Sequence, residues 1–281
     1  MHSTKVEKRA YRVPGGGKRI LTGILLFASC LLILAGLLRG NEVGGLLVET
    51  KPTATPTVFG TAFDETPASR EITLAARSWY AIQLGAFENE QSAKAQAQSY
   101  ISRGAGGYVR SDGGRFRVLA ALYPMKEDAQ TVREQLQAQH EIDSYVYEIV
   151  LPEVKYNVQG MAGQLDALDA AMQYLNTALE KFCSISVSLD RRDLNMEQQL
   201  AALNEVSSQA DTLRTVLSQR LNAPGYKVVG DLTGLLAQIS QACKTVTGAS
   251  AQGSVAMATE MKYQTLSLLT AVETYRNTAW K

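Results

Sequence analysis

The sequence predicts an α+β protein made of one transmembrane helix, a βαββαβ domain and a C-terminal antiparallel helical bundle. Three observations carry that prediction. Residues 20–38 hold no charge between Arg19 and Arg39. Between Trp79 and Ile149, stretches of strand period alternate with stretches of helix period. From Val154 onward the apolar residues recur at helical spacing and strand signals stop. The expected division is a cytoplasmic basic tail over 1–19, a transmembrane helix over 20–38, a flexible linker over 39–77, the βαββαβ domain over 78–152 and the bundle over 153–281.

The chain has 281 residues, 46% of them apolar, enough for two modest domains that each bury a core. Its net charge of +1 hides an asymmetry, because six Lys or Arg and a single Glu fall within the first nineteen residues. The rest of the chain is slightly acidic and offers no basic field of the kind nucleic acid demands.

Ile20 to Leu38 would form a helix roughly 28 Å long, close to the hydrocarbon thickness of a bilayer. The basic tail before it should stay in the cytoplasm, which places everything after Arg39 outside. A cleaved signal peptide has a shorter apolar run and small residues before the cut, and Leu37-Leu-Arg39 does not fit. Phe27-Ala-Ser-Cys30 faintly resembles a lipoprotein cleavage box, but Leu31-Leu-Ile-Leu34 continues the apolar run past the cysteine. A buried soluble helix would show a stripe rather than uniform apolarity. A retained anchor is the expectation.

In the linker, Pro52, Pro56 and Pro67 recur among Thr, Ala and Gly. A coil of this length would have an end-to-end distance on the order of 30 Å and stretch to about 120 Å. It suits a module that searches for a ligand away from the bilayer, and equally a plain spacer.

The βαββαβ domain opens on Tyr80-Ala-Ile-Gln-Leu-Gly-Ala-Phe87, which alternates as a half-buried strand does. A helix follows from Asn89 to Arg103, with Ala93, Ala97, Tyr100 and Ile101 on one stripe, stopped by Gly104, Gly106 and Gly107. Tyr108-Val-Arg110, a turn at Asp112-Gly-Gly114 and Arg115-Phe-Arg-Val-Leu-Ala120 make a hairpin. A second helix carries Ala129, Val132 and Leu136, and Tyr145-Val-Tyr-Glu-Ile149 closes the unit. This is the split βαβ, or ferredoxin-like, order.

The first strand resembles the opening of a SPOR domain, the bacterial module that binds glycan strands of peptidoglycan. Phe116-Arg-Val-Leu-Ala-Ala-Leu-Tyr123 and the helix holding Ala129 resemble that family's second signature. Where the family carries Gly-Pro after the third strand, this chain has Ala121-Leu122. The resemblance implies non-covalent, cofactor-free glycan binding at the division septum or a spore envelope.

Alternation then selects the residues that would touch the glycan. If Ile82, Leu84, Phe116, Val118 and Ala120 pack under the helices, the opposite face carries Gln83, Gly85, Arg117 and Leu119, with no helix to cover it. Gln and Arg direct hydrogen bonds to hydroxyl and acetamido groups, and Gly85 would let a glycan approach the backbone. By resemblance, the family's sheet-face Gln maps to Gln83 and its third-strand Arg to Arg117. Tyr108, Arg110 and Tyr147 are further candidates, since the registers of the second and fourth strands are not set by sequence; aromatic rings stack on pyranose faces. RNA-recognition motifs share the strand order, but residues 79–150 carry seven basic groups against nine acidic ones. RNA is not an expected partner.

Met161, Leu165, Leu168, Met172, Leu175, Leu179 and Phe182 form a heptad seam. Further helices are expected over about 194–221, 229–247 and beyond Gly253, through Leu203, Leu236 and Val272 respectively. Four such helices can bury their own faces as an antiparallel bundle, although a protein partner or self-association through a seam is also open. Cys183 and Cys243 would either pair across the bundle or stay as buried thiols.

Catalysis is not expected. The two histidines, His2 and His140, make no metal-ligand spacing. Asp166 with Asp169, and Asp190 with Asp193, read as solvated helix-surface charges rather than the carboxyl pair of a glycosidase. The apolar run and the resemblance to SPOR domains together imply a membrane-anchored peptidoglycan-binding protein, expected to lack catalytic residues, cofactor and metal. The rival is a cell-envelope scaffold that acts through the bundle and whose SPOR-like module no longer binds glycan.

Overall fold

The computed structural model describes residues 66–221 and 227–278. The expected tail and transmembrane helix, and the linker up to residue 65, lie outside the described residues. Among the described residues no helix is long and apolar enough to cross a membrane.

The fold is mixed α+β with two sheets. Strand β1 (Pro67–Leu74) pairs antiparallel with β6 (Val154–Met161). Between them run β2 (Arg77–Phe87), α1 (Glu90–Ile101), β3 (Tyr108–Asp112), β4 (Arg115–Tyr123), α2 (Lys126–His140) and β5 (Tyr145–Leu151). Their sheet has the order β3-β4-β2-β5 with every neighbour antiparallel, which is the split βαβ arrangement expected. Four helices follow: α3 (Ala162–Arg191), α4 (Met196–Arg220), α5 (Lys227–Ala249) and α6 (Ser254–Thr278).

The β1–β6 pair corrects two expectations: that residues 67–74 are linker, and that strand signals end before Val154. Each strand buries only alternate side chains, Ile72 and Leu74 from β1 and Tyr156 from β6. Their partners lie on either side of the whole βαββαβ stretch, so neither shows the local turn that marks a hairpin.

On one face of the large sheet, Ile82, Leu84, Val118 and Ala120 pack under α1 and α2, as expected. The small Ala93 and Ala97 of α1, with Ala129 of α2, let the helices lie close. Asn89 starts α1, its Oδ1 accepting from Gln91 N at 2.8 Å and Ser92 N at 3.1 Å. Register shifts interrupt the β2–β4 ladder at two places, between Ala81 and Gln83 and between Gln83 and Gly85. One puts Ala121 on the helix side beside Ala120. The other turns Gly85 to oppose Val118. Ala121-Leu122, at the departure from the family's Gly-Pro, therefore continues β4 to Tyr123 instead of ending it.

The bundle is antiparallel in chain order. Tyr174 Oη donates to Val206 O and Gln164 Nε2 to Arg220 O between α3 and α4. Asp190 and Asn176 of α3 meet Lys262 and Arg276 of α6. Leu165, Leu168, Met172, Leu175, Leu179 and Phe182 are all buried; Met161, expected to lead the seam, ends β6 and is exposed. Cys183 and Cys243 are free and buried, and burial pushes the Cys243 thiol up to about 12.

The sheet and the bundle share one core. Trp79, Ala81, Leu119, Leu122, Ile149 and Leu151, from the sheet face away from α1 and α2, join the apolar residues of α3 to α6. Arg276, buried in α6, donates Nη1 to Ala75 O and Pro152 O and Nη2 to Asn176 Oδ1. It clasps the chain where it passes from the small sheet into the large one and back.

Candidate glycan-binding site

The site grows from the upper rows of that second face. Tyr145 lies across from Gln83, and Gln83 from Leu119. Tyr108 lies across from Leu119, Arg110 from Arg117, and Tyr147 from Ala81. Antiparallel registers carry directly opposed side chains on one face. Gln83 and Arg117 thus share this face as strand alternation leads one to expect, and the registers bring Tyr108, Arg110 and Tyr147, which the sequence left open, onto it as well.

Gly85 does not. The bulge turns it to the helix side, where an added Cβ would stand 2.9 Å from the Phe87 ring. Ala86 takes its place on the second face, opposite Arg117. Gly85 makes room for an aromatic ring, not for a glycan.

The expectation that no helix covers this face is also corrected. Leu119 is 1% exposed, and α6 lies over the β3–β4 side. Tyr108 packs edge-on against Tyr263 at 5.5 Å between centroids. Arg110 is forked onto Glu273, with Nη2 donating to Oε1 at 2.9 Å and Nη1 lying 2.8 Å from Oε2. Burial works against the Arg110 charge, yet the Glu273 carboxylate holds the guanidinium above its ordinary value. Gly106 matters here: an added Cβ would come 2.9 Å from Ala120 O and 3.0 Å from Tyr263 N, so only glycine fits between β4 and α6.

What is left uncovered is a polar and aromatic strip lying over Gln83, which is itself buried at 9% exposure. Arg117 Nη1 donates to Gln83 Oε1 at 2.8 Å, and its Nε to Asp112 Oδ2 at 3.0 Å. Its guanidinium lies over the Tyr147 ring, 4.6 Å from the centroid. Tyr147 Oη donates to the same Asp112 oxygen at 2.7 Å. Tyr145 stands beside this network, 65% exposed. A bare aromatic ring next to an organised set of donors and acceptors is what a sugar-binding surface needs.

Asp112 and Tyr145 are the members of this strip that sequence reasoning misses. Asp112 reads as a turn residue before Gly113-Gly114. Tyr145 leaves a signal, standing two residues before Tyr147 and so on the same face of one strand.

Tyr147 and then Arg117 hold the Asp112 carboxyl below its ordinary value. Burial, and then Asp112, hold the Tyr147 phenol above its own. The lowered Asp112 value lies below that of the unfolded chain, so its contribution is complete above the ordinary 3.8 and drains away as pH falls through the folded value. Binding by this strip should stay flat from neutral pH down to the ordinary carboxylate range and fall below it. A pH series of glycan sedimentation checks this, and a midpoint near neutrality would contradict it.

Neither carboxyl pair noted in the sequence lies on this strip. Asp166 and Asp169 pair with Arg70. Asp190, expected on the surface, is buried against Lys262 at 2.6 Å. Asp112 is held deprotonated, the wrong state for a general acid. Among the described residues no group of three or more His, Cys, Asp or Glu could hold a metal ion.

A four-stranded split βαβ sheet with a guanidinium, a carboxylate and two tyrosines along the uncovered part of its second face is a ferredoxin-like module with a polar and aromatic surface. Residues 76–148, roughly a quarter of the chain, match the family model of the SPOR domain, and this stretch is a SPOR domain. Such a domain is a binding rather than a catalytic module, and peptidoglycan binding is the general property it supports. Neither the curated proteins nor the solved structures compared with the chain gave a match.

Proposed function

We propose that the protein is a membrane-anchored bacterial protein that binds peptidoglycan glycan strands without cleaving them, at a division septum or a spore envelope. The observation that carries this reading is the exposed Tyr145 ring beside the Gln83–Arg117–Asp112–Tyr147 network, on the second face of a SPOR domain. Arg117, held in place by the buried Gln83, directs the sugar's polar groups, and Tyr145 stacks on an apolar ring face. The apolar run over 20–38 supports an anchor with the N-terminus cytoplasmic and the folded domains outside the membrane.

The test is sedimentation of the full chain, in mild detergent, with isolated peptidoglycan. Tyr145→Ala should keep the wild-type melting temperature, because the ring is exposed, and weaken binding about tenfold, the equivalent of about 1.4 kcal/mol. Arg117→Ala should weaken binding at least as much, since it removes the guanidinium that links Gln83, Asp112 and the Tyr147 ring. Wild-type protein left in the supernatant, or unchanged binding by both folded variants, would overturn the proposal.

One observation favours the second reading, a scaffold that acts through its helices. Tyr108 and Arg110 are taken up by Tyr263 and Glu273 of α6 and are not offered to a ligand. A chain that ignores peptidoglycan but brings down an envelope protein dependent on its helices would support that reading.

A further inference from the structure

We infer that the helical domain sets the length of glycan this protein can read, confining it to a short segment of a few sugar rings. The inference rests on the glycan-binding reading above and concerns the extent of that same site.

An uncovered ferredoxin-like sheet offers its whole second face. Here the lower rows are closed: Trp79 and Ile149 pair in register, as do Ala81 and Leu122, and all four are buried in the core shared with the bundle. On the β3 side, Tyr108 and Arg110 are held by α6. The exposed groups run diagonally across the strands from Tyr145 on β5, over the buried Gln83 on β2 and past Arg117 on β4, to Asp112 on β3. Four strands span about 14 Å in that direction, and two to three residues of open strand give about 10 Å in the other. That area suits a few pyranose rings laid across the strands. It does not suit a long strand lying along them.

The boundary is not a lid that ligand could lift. Opening it would expose Trp79, Leu119, Leu122 and Ile149 together, all 3% exposed or less. It would also part the Lys262–Gly104 hydrogen bond, the Arg110–Glu273 fork and the Arg276 clasp. A sugar chain making a few hydrogen bonds and one stacking contact cannot offset that. The bundle therefore acts as a fixed wall of the binding site, with Glu273 at its edge.

The experiment titrates the full chain in mild detergent with β-1,4-linked N-acetylglucosamine oligomers from dimer to hexamer, beside sedimentation with intact peptidoglycan. Affinity should climb to about the trimer and then change by no more than about twofold through the hexamer, the plateau falling about tenfold in Tyr145→Ala. Affinity that keeps rising several-fold per sugar out to the hexamer would overturn the short footprint while leaving glycan binding intact. So would sedimentation with peptidoglycan when no oligomer binds. Failure of every oligomer and of intact peptidoglycan would remove both the footprint and the reading beneath it.

Discussion

Expressed without its helices, a fragment covering residues 76–152 should show no cooperative thermal transition, although it contains the whole SPOR match. The reason lies in Trp79, Leu119, Leu122, Ile149 and Leu151, each 3% exposed or less and packed into the core shared with the bundle. Burying one such side chain contributes about 1.5–3 kcal/mol. Exposing five would remove up to about 8–15 kcal/mol, as much as a whole domain's usual margin of about 5–15 kcal/mol. A chain that retains α3 to α6 should melt cooperatively. Thermal scans by circular dichroism on both proteins decide it: a sharp transition in the short fragment near that of the longer chain would show that the sheet and bundle only touch. The practical consequence is that glycan binding has to be measured on protein that keeps its helices.

The second large effect is expected at Lys262. Its ammonium, 4% exposed, sits 2.6 Å from the Asp190 carboxylate and donates to Gly104 O at 3.0 Å, tying the loop before β3 to the bundle. Burial raises the Asp190 carboxyl above its ordinary value, against the pull of Lys262. Removing one partner of a buried pair leaves the other charge without compensation. Lys262→Ala should therefore cost about 3–5 kcal/mol. Chemical denaturation measures it, and a loss below about 1 kcal/mol would mean that water reaches the pair. Replacing both partners, as in Lys262→Met with Asp190→Leu, should recover much of the loss, because two apolar side chains need no compensation. Neither residue lies on the open strip, so glycan affinity of the folded single variant should change little.

Much of the helix-side core is legible in the sequence because its signals are local. Ile82, Leu84, Val118 and Ala120 are buried as strand alternation requires, and Leu165 through Phe182 as heptad spacing requires. The binding face is legible only in part. Gln83 and Arg117 fall where alternation puts them, since they precede the β2 bulge and follow the turn without interruption. Gly85 does not, because a bulge inverts the face beyond it, and a bulge is set by how two strands register rather than by the residues of one. Asp190 reads as surface because its helix end looks polar; its burial depends on Lys262, which arrives from another helix.

Local signals in the chain are enough to place the strands and helices between Trp79 and Ile149 and the four helices of the bundle, and to pick out the face of the large sheet that α1 and α2 cover. Local periodicity and capping suffice for that, because they act between near neighbours in the chain. Tertiary structure alone decided three things: that β1 and β6 find each other across the whole domain, that α6 packs on the sheet as well as in the bundle, and that the binding face is thereby reduced to one strip. The apolar residues of α6 run through Met257, Met261, Leu266, Leu268, Leu269 and Val272, wide enough to serve both the sheet and the other helices. Helical period shows that such a helix is buried. It does not show what lies against it, because the hydrophobic effect rewards removal from water and has no direction.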